Sequence, residues 1–174
     1  KAEISLGEMG IQGPIDSDDW PTERFTEQAN AQLRRLKAYL KGNADWPANL
    51  VSNEVDSTVL RPFTLQTVLE DEHFLIQRGI DGDGATLRGL ATPYQSGSRQ
   101  ATFKIFDVRQ ESGRILTKIA VSLSGPTERG PQQESSTWEV AWSLDPEPRM
   151  LSIELQDYEV SLTKRAQSGN AFQD

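Results

Sequence analysis

Between residues 102 and 162 apolar side chains recur at every second position over stretches long enough to dictate strands. Ile115, Thr117, Ile119, Val121 and Leu123 share one parity, and Leu116, Lys118, Ala120 and Ser122 hold the other. Trp138, Val140, Trp142 and Leu144 repeat the pattern against Glu139, Ala141 and Ser143. Successive side chains of a strand point to opposite faces, so this alternation builds a sheet with one apolar face. Residues 102–108 (TFKIFDV) are apolar on both parities and read as a central strand. The last stretch carries Leu151, Ile153 and Leu155 in phase and then Tyr158, Val160 and Leu162 in the other phase. A slip of one residue at Gln156-Asp157 is what a β-bulge produces, and bulges bend sheets.

A sheet with one apolar face needs a second layer. Phe25, Ala29, Leu33, Leu36 and Leu40 recur at helical spacing, with Arg24, Glu27, Arg34, Arg35 and Lys41 on the remaining surface. Asp19-Trp20-Pro21-Thr22 is a helix-start signal and Gly42-Asn43 a stop. The expected fold is therefore α+β, a long N-terminal amphipathic helix packed on a curved, bulged antiparallel sheet. Residues 22–162 form its single domain, after an extended or disordered leader (1–21) and before a flexible tail (163–174). Residues 44–64 read as a connector, and 64–78 as either a short helix or strands. Gly79–Gly84 reads as a turn leading to a short strand near 85–91, Gln110–Gly113 as a hairpin, and 125–135 as a loop.

Composition narrows the chemistry. With no Cys there is no disulfide scaffold, zinc ribbon or thiol nucleophile, and with one His neither a His-rich metal site nor a triad without His73. No cofactor is expected. No apolar run approaches the ~20 residues that span a bilayer. A net charge of −8 argues against nucleic acid, whose binding needs cations to displace phosphate counterions. The basic stretches, Arg24 to Lys41 and Arg88 to Lys118, read as solvated faces.

Few motifs survive scrutiny. Asp81-Gly82-Asp83-Gly84 in a calcium-loop frame has Gly79 and Leu90 where the first and last ligands belong, so it is read as a turn. The same glycines lack the spacing of a phosphate cradle, and Ser161-Leu162-Thr163-Lys164 lacks the companions of an S-x-x-K enzyme. Three candidates for proton transfer remain. Asp107 is in phase with Phe103 and Ile105, so its carboxylate could project from an apolar face with a raised pKa. His73, the one side chain titrating near neutrality, and Tyr158 are candidate donors. Trp138 and Trp142, with Phe103 and Ile105, could floor a pocket or form a subunit interface.

The order of elements resembles the nuclear transport factor 2-like (SnoaL-like) cone fold. The stretches FKIFDV (103–108), QESSTWEVAW (133–142) and LSIELQDYEV (151–160) are similar to a domain that precedes FG-GAP and ASPIC/UnbV regions in large exported bacterial proteins. The resemblance implies a cone-like sheet and an extracytoplasmic module of a larger protein. The leading functional expectation is a non-catalytic ligand-binding or assembly module, taking a small apolar ligand or pairing as a homodimer through the sheet face. The competing expectation is an isomerase- or dehydratase-type enzyme with Asp107 as base in the cone cavity. A carbohydrate-binding β-sandwich is a third, which the helical stripe fits poorly.

Overall fold

The computed structural model describes residues 19–164. The expected leader up to residue 18 and the expected tail from residue 165 lie outside the described residues. Helix α1 spans Asp19–Leu40, and its stripe of Phe25, Ala29, Leu33, Leu36 and Leu40 is buried throughout. Gln32 shares the buried side, donating through Nε2 to Pro148 O at 2.9 Å, so its amide is not left unpaired. The helix ends at Gly42, whose φ of +85° a residue with a Cβ adopts only under strain. There the amides of Gly42 and Asn43 reach back to Tyr39 O and Ala38 O, capping carbonyls of the last turn. A single-turn helix, α2 (Asn53–Asp56), follows, capped by the Ser52 side chain.

The remaining chain builds one sheet of six strands. These are β1 (Arg61–Glu70), β2 (Phe74–Ala85), β3 (Gln100–Glu111), β4 (Arg114–Thr127), β5 (Gly130–Trp142) and β6 (Met150–Thr163). Their spatial order is β1-β2-β6-β5-β4-β3, every neighbour antiparallel. Registers such as Ile119↔Trp138↔Leu155 and Thr117↔Val140↔Ile153 carry the apolar parity of one strand onto the next. The result is a single inner face, and α1 packs on it with Phe25 edge-on to Trp142 at 5.9 Å.

Bulges decide which side chains join that face. Asp157 pairs with Thr137 and Leu155 with Trp138, leaving Gln156 as the extra residue and bringing both halves of β6 to the inner face. In β3 the extra residue is Phe106, 53% exposed, which turns the strand's phase over. In β2 the pairs Pro62↔Gly84 and Thr64↔Ile80 leave three residues, Asp81–Asp83, opposite the single Phe63 of β1.

Several local expectations change as a result. Asp81-Gly82-Asp83-Gly84 is a bulged part of β2 rather than a turn, because the ladder to β1 resumes at Gly84. A Cβ on Gly84 would lie 2.0 Å from Arg61 O, so only glycine allows that approach. The expected strand near 85–91 is instead a 3₁₀ turn at Leu87–Gly89 with Leu87 fully buried. Residues 125–135 are no loop. Gly125↔Gln132 and Pro126↔Pro131 continue the β4–β5 ladder to a tight turn at Glu128-Arg129, stabilised by Thr127 Oγ1 bonding Gly130 O at 2.7 Å. Residues 64–78 form strands, turning where Asp71 Oδ1 accepts from the amides of His73 and Phe74.

The core holds Leu36, Leu40, Leu50, Leu87, Val140, Trp138 and Trp142 at 1% exposure or less. Truncating a side chain there loses transfer energy and leaves a cavity. Leu36→Ala should cost about 2–5 kcal/mol in urea denaturation. Leu144→Ala, at a position 54% exposed, should stay within about 0.5 kcal/mol.

Candidate functional site

The most polar point of the inner face is Glu134 on β5, only 3% exposed. It lies in phase with Trp138, Val140 and Trp142, so the geometry that buries the tryptophans also carries a carboxylate inward. Four donors meet it. Arg61, at the start of β1, donates from Nε to Oε2 at 2.5 Å and from Nη2 to Oε1 at 2.6 Å. Tyr94 Oη donates to Oε1 at 2.6 Å, and Tyr158 Oη from β6 donates to Oε2. A carboxylate has about four lone-pair positions, so all are filled. Gln132 Nε2 donates in turn to Tyr94 Oη at 3.3 Å, and Arg61 Nη2 also reaches Leu90 O at 2.5 Å.

The surroundings hold the two tyrosines neutral and Arg61 charged. Burial and the negative carboxylate both disfavour tyrosinate, so Tyr94 and Tyr158 titrate well above the usual tyrosine range. Burial works against the Arg61 charge, but Glu134 more than restores it and the net shift is upward. The cluster is thus a closed network that neutralises itself. It offers neither a free base nor a donor poised near neutrality.

Beyond Glu134 the inner face continues without the helix. Registers Glu134↔Val160, Gln132↔Leu162 and Leu162↔Leu75 extend it across β6 and β2 into an open groove of about 540 Å³. Leu65, Leu75, Val160, Leu162 and the Tyr158 ring make its floor, with Pro62, Phe63 and Pro93 as walls. Gly79 keeps the floor low, since a Cβ there would meet Pro62 Cγ at 2.7 Å and Tyr158 Cδ1 at 3.1 Å. Gln77, Gln132, Glu128 and Arg129 form a polar rim.

The residues singled out from sequence fall in different places. Tyr158 belongs to the Glu134 cluster and to the groove, but as a bound donor rather than a free acid. Asp107 is on the outer face. The Phe106 bulge reverses its phase, so it pairs with Lys118 and lies 3.5 Å from Arg109 with its side chain 42% exposed. Arg109 also bonds Glu139 at 2.6 Å, so Asp107 belongs to a solvated charge cluster and not to an apolar wall. His73 is exposed in the β1–β2 turn, against the ring of Phe74. Trp138 and Trp142 are core, 1% and 0% exposed, and neither lines the groove or a surface. Trp142 Nε1 donates to Thr117 Oγ1 at 2.9 Å, while Trp138 Nε1 has no hydrogen-bond partner among the described residues. Phe103 packs on Trp138 at 5.7 Å, and Ile105 is half-buried beside it.

Glu134, Arg61 and Tyr94 escape the sequence reading because 125–135 and the stretch from Pro93 to Ser98 read as loops and 44–64 as a connector. The signal for Glu134 was nonetheless present, since extending the parity of Trp142, Val140 and Trp138 four residues further lands on it. Among the described residues no three His, Asp or Glu side chains gather as a metal site, and no helix is long and apolar enough to cross a membrane.

Removing one member of a buried ion pair leaves the other uncompensated, so Glu134→Ala should lose about 3–5 kcal/mol in urea denaturation. Arg61→Met combined with Glu134→Leu should recover part of that loss, and adding Tyr94→Phe and Tyr158→Phe should recover more, because both hydroxyls lose their acceptor with Glu134. The tyrosines give a second test. In the unfolded chain they ionise near pH 10, whereas in the folded chain they stay protonated. Their contribution is present below pH 10 and is lost as the pH rises above it. Stability followed by circular dichroism should fall on the alkaline side, and Tyr94→Phe with Tyr158→Phe should flatten that slope.

Compared with protein-family models, curated proteins and solved structures, the chain matches none.

Proposed function

We propose that this chain is a non-catalytic binding module whose ligand is a small, mainly apolar molecule held in the groove beyond Glu134. The observation that carries the reading is that the apolar inner face runs on past the end of the helical cover and stays open, with Phe63 on its wall 67% exposed. Apolar surface left concave and accessible is the usual form of a small-molecule site. The groups at its base support binding over chemistry, because Glu134, Tyr94, Tyr158 and Arg61 satisfy one another. The Nε2 atoms of Gln77 and Gln132 donate to Thr67 and Tyr94, and their Oε1 atoms accept nothing among the described residues. A ligand with a hydroxyl or amide at one end would be oriented by them.

The same reading takes the fold as cone-like, of the nuclear transport factor 2-like kind, and the module as part of an exported protein. A bulged antiparallel sheet wrapped on one long helix supports the first, and the resemblance of residues 100–160 supports the second.

N-phenyl-1-naphthylamine, a neutral apolar fluorophore, should bind saturably with enhanced emission. Leu75→Lys, which puts a charge on the groove floor, should weaken binding at least about tenfold, or about 1.4 kcal/mol. Phe106→Lys, on the outer face, should leave it unchanged. A probe that does not bind, or that binds both variants like the wild type, removes the groove as the site.

A further inference from the structure

The two edges of the sheet are treated very differently. Edge strand β3 carries Lys104, Asp107, Arg109 and Glu111, is kinked by the Phe106 bulge, and is flanked by α1, whose Leu33 and Lys37 share a cleft with Thr102 and Phe103. Charges, bulges and a covering helix are the ordinary ways in which proteins keep a strand edge from pairing. Edge strand β1 has Pro62 near its start and a bulge at Val68, but no charged residue from 62 to 69 (PFTLQTVL). Phe63, Val68 and Leu69 are 67%, 48% and 44% exposed along it, and Phe74 and Ile80 add 44% and 45% on β2. No strand pairs with the outer side of β1 among the described residues.

We infer that β1 pairs antiparallel, edge to edge, with β1 of a second copy of this chain. An unpaired ladder is satisfied by another strand and not by a small apolar molecule. Three features favour the chain's own copy. A two-fold axis brings residues near it onto their own equivalents, so a self-pairing edge must be uncharged there, and β1 is. With net charge −8, copies repel one another except across such a neutral stretch. One open edge and one guarded edge also close at two, whereas β1-to-β3 contacts would run on as a filament. With Gln66 on the axis, Leu65 lies opposite the partner's Thr67, and both are on the inner face, where they pair with Gly79 and Gln77 of β2. An aliphatic side chain facing a β-branched one stabilises a ladder.

Sedimentation equilibrium tests this directly. The wild type should sediment as a dimer. Gln66 is exposed, so charging it should leave the circular dichroism spectrum intact. Gln66→Lys and Gln66→Glu should each weaken association at least about tenfold, which is about 1.4 kcal/mol. Mixing the two variants in equal amounts should restore the dimer, because opposite charges then face each other. Gln66→Ala should remain dimeric. A wild type that stays monomeric at its highest soluble concentration overturns the inference. So do charged variants that remain dimers on their own, or a mixture that stays monomeric. Phe63 and Leu65 of β1 also line the groove, so the two readings are told apart by their variants: Leu75→Lys charges the groove floor on β2, and the Gln66 variants charge only the edge.

Discussion

Four hydrogen bonds converge on the Glu134 carboxylate, and their donors come from widely separated parts of the chain. Arg61 opens β1, Tyr94 follows the 3₁₀ turn, and Tyr158 lies in the second half of β6. The β1–β2 hairpin joins the rest of the sheet through only the short Phe74–Arg78 ladder to β6. Arg61 ties its far end back to β5 and, through Leu90 O, to the loop carrying Tyr94. Burying an ion pair is costly unless every lone pair and proton is matched. Here the carboxylate is fully matched and Arg61 donates from Nε and twice from Nη2, so the network converts that cost into a fixed relation between hairpin, loop and sheet.

The same carboxylate divides the inner face. On one side Trp138, Val140 and Trp142 lie under α1 and form the core. On the other, Leu75, Val160 and Leu162 line an open groove. One parity of one sheet thus serves two purposes, and what separates them is the reach of α1. The proposed ligand site is a continuation of the core from which a layer is missing. The edges repeat this asymmetry, β3 guarded by charge and helix and β1 left neutral.

Much of this was legible in the sequence because periodicity reports burial directly. The parities of 115–123 and 138–142, the Phe25–Leu40 stripe and the slip at Gln156-Asp157 are local patterns, and the buried residues follow them. Asp107 shows where local reasoning stops. Its phase with Phe103 and Ile105 is real in the sequence, yet one extra residue at Phe106 sends it to the opposite face. Nothing in FKIFDV marks Phe106 as the bulge, because its position depends on how β3 registers against Lys118 and Ile119 of β4. The Asp81–Gly84 segment misled for the same reason, since Gly84 serves the close approach to Arg61 and Gly82 a φ of +147° within the bulge, rather than a chain reversal.

The sequence by itself determined the α+β class, the strands that share an apolar face and the absence of thiol chemistry, because each depends on residue type and spacing along the chain. Only the tertiary structure decided that Glu134, Arg61, Tyr94 and Tyr158 meet, that Asp107 does not join them, and that the inner face stays open beyond them. Those outcomes depend on strand register, and register is set by contacts between residues far apart in the chain, as Arg61 and Glu134 are at 73 positions. Spacing along the chain carries no record of such distances.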